Sequence, residues 1–176
     1  MYGPQPSSVA PTPELVPVAF LSASLHEPHQ SFHSKEYGKA ITYVEVKDGS
    51  ITTVKNDLGL QLEIQNLVGN DKVTTDLTTG TTTLDVNVFG KTPNGSGVHI
   101  SYPGTVKFSD KIAAILGGTG TFSDIDEYIT NAPKFHFDSS AEDKFRWAGN
   151  TYFIGKGRFL RDENGLYVQC YFYAVK

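Results

Sequence analysis

The residues best suited to chemistry concentrate between positions 133 and 157, in the stretch PKFHFDSSAEDKFRWAGNTYFIGKG. It contains His136, which stands between two phenylalanines, and Trp147, the only tryptophan of the chain. An imidazole titrates near neutral pH and can act as a general acid or base. His136 is therefore interpreted as either a general base or a hydrogen-bonded histidine of the core.

A second group of polar residues is predicted on two neighbouring strands. The segments TTTLDVNVFG and GVHISYPG both alternate, and an NGSG hairpin joins them, so their polar faces should meet. On an outer face such residues are ordinary surface groups, whereas on an inner face they orient a ligand. The residues brought together are Asp85, Asn87, His99 and Ser101.

The motifs of common cofactors and nucleophiles are absent from the sequence. It has no dinucleotide-binding, P-loop, zinc-protease or serine-hydrolase motif, so we predict no cofactor. His26, His29 and His33 have spacings that could hold a metal, but Pro28 breaks any helix that would align them. No metal site is predicted. The glycine-rich GGTGTF at 117–122 is interpreted as a loop.

Composition limits the partners and the domain count. A chain of 176 residues fits one domain, and a net charge of −4 with scattered Lys and Arg lacks the basic patch that nucleic acid requires. The apolar runs are too short to span a bilayer, so no membrane partner is predicted. Residues 1–14 are rich in proline and are predicted to form a flexible arm, followed by a single domain at 15–176.

The sequence leaves the location of the protein open. The arm resembles the trimmed leader of a secreted protein, and Asn94-Gly95-Ser96 fits a glycosylation acceptor. Asn-Gly is also a favoured hairpin turn, and a cytoplasmic location is the alternative. Cys170 cannot form an internal disulfide and is interpreted as a small hydrophobe of the core.

Short alternating runs rich in Val, Ile, Thr, Tyr and Phe predict an all-β protein. Turn sequences connect successive strands as hairpins, with KDGS at 47–50, TPNGSG at 92–97 and DENG at 162–165. Because closure removes exposed edges, we predict a closed antiparallel up-and-down β-barrel of about 8–10 strands. The predicted strands are 16–25, 40–47, 50–55, 60–66, 72–78, 82–90, 97–103, 111–116, 151–160 and 166–175.

One short helix is predicted near 139–147. Ser139 is its expected N-cap, and Glu142 completes a capping box. The helix is too short to be stable alone, so its aromatic residues should dock on the barrel.

Two glycines stand inside the predicted strand TYFIGKGRF. Gly155 and Gly157 share a face with Phe153 and Phe159. Glycine within a strand marks a bend or the close approach of another group. The pair is interpreted either as a hollow for a ligand, walled by rings, or as relief of crowding at a barrel corner.

Two parts of the sequence resemble a known family. PKFHFD followed by FRWAGNTYFIGKG is similar to the C-terminal pattern of the DUF3237 family, in which P-x-F-E-T precedes Y-x-W-L-N-x-x-x-x-x-G-x-G. The spacing from Trp147 to Gly155 and Gly157 agrees without a gap. NVFGKTPNGSGVHISYPG resembles the family's strand, hairpin and strand upstream, and the resemblance extends from Leu15 onward.

The sequence departs from the family pattern at four positions. His136 and Phe137 stand where the family has Glu and Thr, and Ala148 and Gly149 replace Leu-Asn. The polar role of that Glu or Asn is therefore not carried over. The departures imply a more aromatic and roomier site, as expected for a larger apolar ligand.

The resemblance implies a closed barrel related to calycins and to allene oxide cyclase-like barrels, and most family members have no assigned activity. Some fungal secondary-metabolite barrels of similar kind steer cyclisations, including hetero-Diels–Alder couplings. By this analogy, the first hypothesis is a cofactor-free cyclase that orients an apolar polyketide or terpenoid intermediate. The hydrogen-bond donors assigned to it are His99, Tyr102, His136 and Tyr171. The residues assigned to substrate binding are Phe89, Phe135, Trp147, Phe153, Phe159 and Tyr173.

Two other hypotheses stay open. The second is a carrier that binds an apolar compound and leaves it unchanged. The third is a homo-oligomer in which the tyrosine-rich face at 167–173 forms a subunit interface, since a large apolar patch is rarely left in water.

Overall fold

The computed structural model describes residues 12–120 and 129–176. Most of the predicted arm and the last two residues of GGTGTF lie outside the described residues. The helices in these ranges are α1 (Asp110–Leu116) and α2 (Asp143–Arg146), and α2 continues into a 3₁₀ turn at Trp147–Asn150. The strands in these ranges are β1 (Leu15–Leu25), β2 (His29–Ser34), β3 (Lys39–Thr53), β4 (Gln65–Asp76), β5 (Thr82–Lys91), β6 (Gly97–Val106), β7 (Ile129–Asn131), β8 (Lys134–Phe137), β9 (Phe153–Asp162) and β10 (Gly165–Val175).

Eight of these strands close into an antiparallel barrel. Beginning with β1, the order runs through β10, β9, β7, β6, β5, β4 and β3, and β3 pairs again with β1. The extra strands are β2, which pairs with β3, and β8, which pairs with β6. Barrel neighbours follow one another along the chain, so the predicted closed up-and-down barrel is confirmed.

The alternation of buried and exposed residues shows which strand faces point inward. In β5 the apolar residues Leu84, Val86 and Val88 are buried, and the residues between them are exposed or half-buried. In β10 the face with Cys170 and Phe172 is buried, and the tyrosine face points outward. Because burying each such apolar side chain contributes about 1.5–3 kcal/mol, the inner face fixes the register of the strands.

The predicted hairpin at KDGS is wrong, because β3 passes through this sequence without turning and joins the predicted strands 40–47 and 50–55. Gly49 lies opposite Ala23 of β1, and a β-carbon on Gly49 would lie 2.7 Å from that of Ala23. The glycine therefore permits the close approach of two strands instead of a turn.

The predicted strand 60–66 is mostly irregular chain. Ile64 forms a single bridge with Ile51, and β4 begins at Gln65 and continues through most of the predicted strand 72–78. The prediction of two separate strands here is wrong.

The predicted strand 111–116 is helix α1. The Ser109 side chain accepts a hydrogen bond from the Ile112 N–H and caps the helix. Ile112 and Ile115 are three residues apart and both are buried, which is a helical spacing that a short apolar run conceals. In the parts of the chain that the structure describes, neither helix has the length and apolarity needed to cross a membrane.

The predicted capping box near 139–147 is wrong, although a short helix forms in this region. The Asp138 carboxylate accepts hydrogen bonds from the backbone N–H and the hydroxyl of Ser140, at 2.9 and 2.6 Å. These bonds hold a turn where the helix was expected to begin. Helix α2 starts later, with Glu142 as its N-cap and no side-chain cap bond.

Candidate functional site

One end of the barrel, called here the aromatic end, is filled by rings. Phe135 packs edge-on against Phe153 and Phe172, with centroid distances of 5.2 and 5.9 Å. Trp147 lies 5.7 Å from Phe153, and its indole N–H donates a hydrogen bond to the Gln61 carbonyl oxygen at 2.7 Å. The helical segment after β8 therefore closes this end as a packed plug.

The opposite end opens into a pocket of about 240 Å³, called here the mouth. Its walls come from β2, from the first halves of β3 and β5, from the last parts of β4, β6 and β9, and from α1. Apolar side chains that line it include Val73, Val106, Phe108 and Leu116. Polar side chains that line it are Gln30, Thr42, Thr75 and Thr82.

An arginine holds the rim of the mouth together. Arg161 Nε donates a hydrogen bond to the Ile115 carbonyl of α1 at 2.7 Å, and its two terminal nitrogens bind the Glu27 carboxylate at 2.7 and 2.8 Å. This hydrogen-bonded pairing lowers the pKa of Glu27. The side chain joins β9, α1 and the connection between β1 and β2.

A narrow cavity of about 40 Å³ lies in the barrel below the mouth. At roughly 10–15 Å³ for each water molecule, it has room for about three. Val44, Leu84 and Phe159 line both spaces, so the cavity and the mouth adjoin. Most of the lining is aliphatic. The polar side chains that line it, called here the polar cluster, are Asp71, Tyr102, Asn131 and Cys170.

Asp71 enters the cavity from β4, where it pairs with the buried Val86 of β5. The backbone N–H of Asp85 donates a hydrogen bond to Asp71 Oδ1 at 3.2 Å. Burial raises the pKa of Asp71 to about 7; the Asp85 N–H opposes the rise, and the Asp85 charge adds to it. Lys72 pairs with Asp85 at 3.1 Å. The Asp71 carboxyl therefore changes its charge near neutral pH.

Asn131 enters the cavity from β7, between two glycines. It lies opposite Gly104 of β6 and Gly155 of β9, and a β-carbon on Gly155 would overlap its amide. Asn131 Nδ2 donates to Cys170 Sγ at 3.3 Å. Its Oδ1 is buried without a hydrogen-bond partner among the described residues. An unpaired buried acceptor costs roughly 1–3 kcal/mol, which a donor from a bound molecule would offset.

Tyr102 and Cys170 are protonated at neutral pH. Burial raises the pKa of Tyr102 well above its usual value, and the nearby Cys170 and Asp71 raise it further. Burial raises the pKa of the Cys170 thiol to about 12. Tyr102 is therefore a hydrogen-bond donor, and Cys170 lacks the thiolate that a nucleophile needs.

The charge of the cavity lining disfavours anions. Among the described residues, no Lys, Arg or His lines the cavity, and its ionisable groups are all acids. A buried anion without a compensating cation is strongly disfavoured. The cavity therefore suits a neutral molecule or a cation.

Two of the residues predicted from the sequence line the cavity, namely Tyr102 and Phe159. Phe135, Trp147 and Phe153 lie instead at the aromatic end, where they contact other rings. The structure therefore divides these five residues between the cavity and the aromatic end of the barrel.

The two glycines of β9 make room for neighbouring side chains. The space beside Gly155 is taken by Asn131, and a β-carbon on Gly157 would lie 2.9 Å from Cys170 Sγ. The hollow that the sequence suggested is therefore filled by Asn131 and Cys170.

The predicted histidines lie on the outer face. Phe89, His99 and His136 form a row of stacked rings across β5, β6 and β8, with centroid distances of 4.7 and 5.8 Å. His99 Nε2 lies 3.3 Å from Asn87 Oδ1, so the polar residues of β5 and β6 meet as expected, but outside the barrel. The remaining predicted residues, on the outer face of β10, are Tyr171 and Tyr173.

Sequence analysis did not identify Asp71 or Asn131. Asp71 lies within β4, but in the gap between the predicted strands 60–66 and 72–78. Its side chain could therefore not be assigned to either face of a strand. Asn131 lies in a strand of three residues. The glycines opposite it, Gly104 and Gly155, leave room for its side chain, but they indicate this only when the strand pairing is known.

No metal site accompanies the polar cluster within the described residues. In residues 12–120 and 129–176, no group of three or more His, Cys, Asp and Glu side chains is arranged to hold a metal ion. His26, His29 and His33, whose spacing could hold a metal ion, belong to the described residues and form no such group.

The family model described as "Protein of unknown function (DUF3237)" matches residues 13–175. The chain therefore belongs to the DUF3237 family, as the sequence resemblance indicated. No curated protein matches the chain.

Solved structures from three bacteria are similar to this barrel. A conserved protein of unknown function from Rhodopseudomonas palustris has a TM-score of 0.71 and 16% identity, covering 95% of this chain and 100% of its own. A protein with unknown function from Clostridium acetobutylicum has a TM-score of 0.68 and 14% identity, covering 94% and 100%. A β-barrel-like protein from Acinetobacter baumannii has a TM-score of 0.65 and 20% identity, covering 96% and 99%. At these identities the likeness shows the fold alone.

Proposed function

We propose that this DUF3237 barrel binds a small, mainly apolar molecule that enters through the mouth and places one polar group at the polar cluster. The observation that carries the proposal is the buried side chain of Asn131, which lines a cavity together with Asp71 and Tyr102 and whose Oδ1 has no hydrogen-bond partner among the described residues. Barrel interiors that serve only stability avoid such groups, because each unpaired one costs free energy. A few converging polar groups in an apolar cavity are typical of ligand sites.

The polar group of the ligand is not an anion, and a neutral group fits the hydrogen-bonding side chains of the cavity. A carboxylate or phosphate would meet the Asp71 carboxyl in a lining that supplies no cation from the described residues. A hydroxyl can donate to Asn131 Oδ1, and a carbonyl can accept from the Tyr102 hydroxyl. The ligand class is therefore an apolar compound with a hydroxyl or ketone group, which includes neutral polyketide and terpenoid intermediates.

The two volumes set how the ligand lies. The cavity of about 40 Å³ accepts the polar group and little more, whereas the mouth of about 240 Å³ accepts an apolar ring system. The ring system would contact Phe108 and Leu116, and Phe159 lies where the two spaces meet.

The experiment compares β-naphthol with β-naphthoate, which share a ring system and differ in charge. Titration followed by ¹H–¹⁵N NMR should show that β-naphthol shifts the side-chain amide of Asn131 and the backbone amides of the mouth. We expect β-naphthoate to bind at least roughly tenfold more weakly, since its charge is uncompensated. Shifts confined to the outer surface, or equal affinities for the two compounds, would contradict the proposal.

Variants locate the binding site. Asn131→Ala should weaken β-naphthol binding, whereas Asn70→Ala, at an exposed asparagine of β4, should leave it unchanged. Equal effects of the two substitutions would place the ligand elsewhere.

A second candidate function is a cofactor-free cyclase or isomerase, including the hetero-Diels–Alder type. The observation that favours catalysis is the Asp71 carboxyl, which has a pKa of about 7 and lines the same cavity as a protonated Tyr102. The product separates the two functions, because a carrier returns the compound unchanged. Chromatography of a polyketide or terpenoid precursor after incubation with the protein tests this directly.

The outer tyrosine face of β10 stays a proposed subunit interface. Tyr171 is 43% exposed and packs against Phe20 with a centroid distance of 4.8 Å. Light scattering would show a dimer or higher oligomer if this face is covered by a second copy. A monomer at all concentrations would contradict the interface.

A further inference from the structure

We infer that the polar cluster moves a proton at the carbon next to a ligand carbonyl, with Asp71 as the base and Tyr102 as the donor to the carbonyl oxygen. The substrate class is an apolar ketone with a hydrogen on that carbon. The inference rests on the proposed function, because the ligand must place its ketone at the polar cluster.

The backbone fixes the orientation of the base. Asp71 Oδ1 accepts the Asp85 N–H at 3.2 Å, and this is the one hydrogen bond of the carboxyl to the described residues. Asp71 also lines the cavity, and its second oxygen accepts no hydrogen bond from the described residues. A base held by its own strand pair needs little reorganisation before it takes a proton.

The surroundings of Asp71 set its strength as a base. Asp85 and Lys72 lie on the outer side of the same strand pair, and Tyr102, Asn131 and Cys170 line the same cavity as Asp71. With a pKa of about 7, about half of the carboxyl is ionised at neutral pH, and a poorly hydrated carboxylate is a stronger base than one in water.

The donor to the oxygen is chemically suited to its role. Tyr102 is buried, and its raised pKa keeps the hydroxyl protonated throughout the physiological range. A fixed donor stabilises the negative charge that develops on a carbonyl oxygen during enolisation.

The step balances without a further reactant. The Asp71 carboxylate takes the proton, the C–H electron pair forms a carbon–carbon double bond, and the carbonyl π pair moves to the oxygen. The protonated Asp71 then exchanges its proton with solvent and returns a hydrogen to the same carbon, or it returns the proton to the far end of a conjugated system. The net result is hydrogen exchange or double-bond isomerisation.

The test uses β-tetralone, an apolar ketone with acidic hydrogens next to its carbonyl. In D₂O, ¹H NMR follows the loss of these hydrogens as deuterium enters. The wild-type protein should accelerate the loss above the buffer rate, and the rate should saturate with ketone and increase with pD through a midpoint near 7.

Three variants assign the roles. Asp71→Asn keeps the hydrogen-bond acceptor for Asp85 but cannot accept the proton, so exchange should fall by roughly 10²-fold or more. Tyr102→Phe should reduce exchange by a smaller factor. Asp57→Asn, at an exposed carboxyl remote from the cavity, should leave it unchanged.

The outcomes separate the two proposals. Binding of β-tetralone in the cavity without acceleration by the wild-type protein overturns proton transfer and leaves the binding function intact. No binding in the cavity overturns both. Acceleration that survives Asp71→Asn overturns the assignment of the base, and the wild-type pD profile tests that assignment even if this variant does not fold.

Discussion

The side-chain amide of Asn131 occupies the space that a β-carbon on Gly155 would take. The two residues are paired across β7 and β9, so neither can change without affecting the other. Glycine at this position is therefore a requirement of the polar cluster.

Gly155→Ala is expected to lower the free energy of unfolding by about 1–3 kcal/mol, because the new methyl group and the Asn131 amide cannot share one space. In an Asn131→Ala background the same substitution should cost less. Urea unfolding of the four proteins measures the coupling.

The comparison for this pair is Gly149→Ala, in the exposed 3₁₀ turn after α2, where a β-carbon would lie 3.3 Å from the Phe135 carbonyl oxygen. This contact is much looser than the overlap at Gly155, so we expect a smaller change, below about 1 kcal/mol. An equal cost of Gly155→Ala in both backgrounds would show that the conflict lies with the backbone.

Asp71→Asn should change how stability depends on pH. The folded pKa of about 7 lies above the ordinary value of 3.8, so the native state holds the proton more tightly than the unfolded chain. Wild-type stability should therefore fall as the pH increases from about 4 to about 7, by up to about 4 kcal/mol from this group alone. Asparagine does not titrate, so the variant lacks this pH-dependent contribution to stability.

The difference in unfolding free energy between Asp71→Asn and the wild type should consequently shift in favour of the variant from about pH 4 to about pH 8. Denaturant unfolding at a series of pH values measures it. A difference that does not vary with pH would show that the carboxyl is well solvated.

Cys170 is expected to resist alkylation in the native state. With a pKa of about 12, its thiolate fraction at pH 8 is lower than that of an ordinary thiol by a factor on the order of 10³, and burial blocks access further. Iodoacetamide labelling followed by mass spectrometry should show reaction only after denaturation. Rapid labelling of folded protein would mean that the cavity opens readily.

Trp147→Ala should affect stability rather than binding. Removing the ring leaves a hole beside Phe153 and removes the bond to Gln61, which we expect to cost about 3 kcal/mol. The affinity for β-naphthol should stay within about threefold, because the aromatic end is opposite the mouth. The reverse pattern, with lost binding and unchanged stability, would place the ligand at the aromatic end.

The fold was predictable because half of the ten strands in the described residues show clear alternation or end at recognisable turn sequences. β1, β5, β6, β9 and β10 were each predicted to within three residues of their ends. Each of these strands has one buried face, so apolar residues recur at every second position. The same rules failed at KDGS, because Asp-Gly also occurs within a strand that approaches its neighbour closely. The glycine is needed there because of the adjacent β1, which the local sequence does not reveal.

The candidate site was less predictable, because barrel geometry decides which residues face inward. The sequence correctly grouped Asn87 with His99 but could not say which side of the sheet they occupy. Asp71 and Asn131 are single polar residues whose importance comes from their neighbours in space. Short strands such as β7 and β8 lack the length that a periodic pattern needs.

Closure of the barrel has a consequence for how the protein is made. β1 pairs with β3 on one side and with β10, the last strand, on the other. On the ribosome the first edge can form early, whereas the second waits until nearly the whole barrel has emerged. An eleven-residue strand with an open edge recruits strands from other chains. The nascent chain, rather than the finished barrel, is therefore the form most exposed to aggregation.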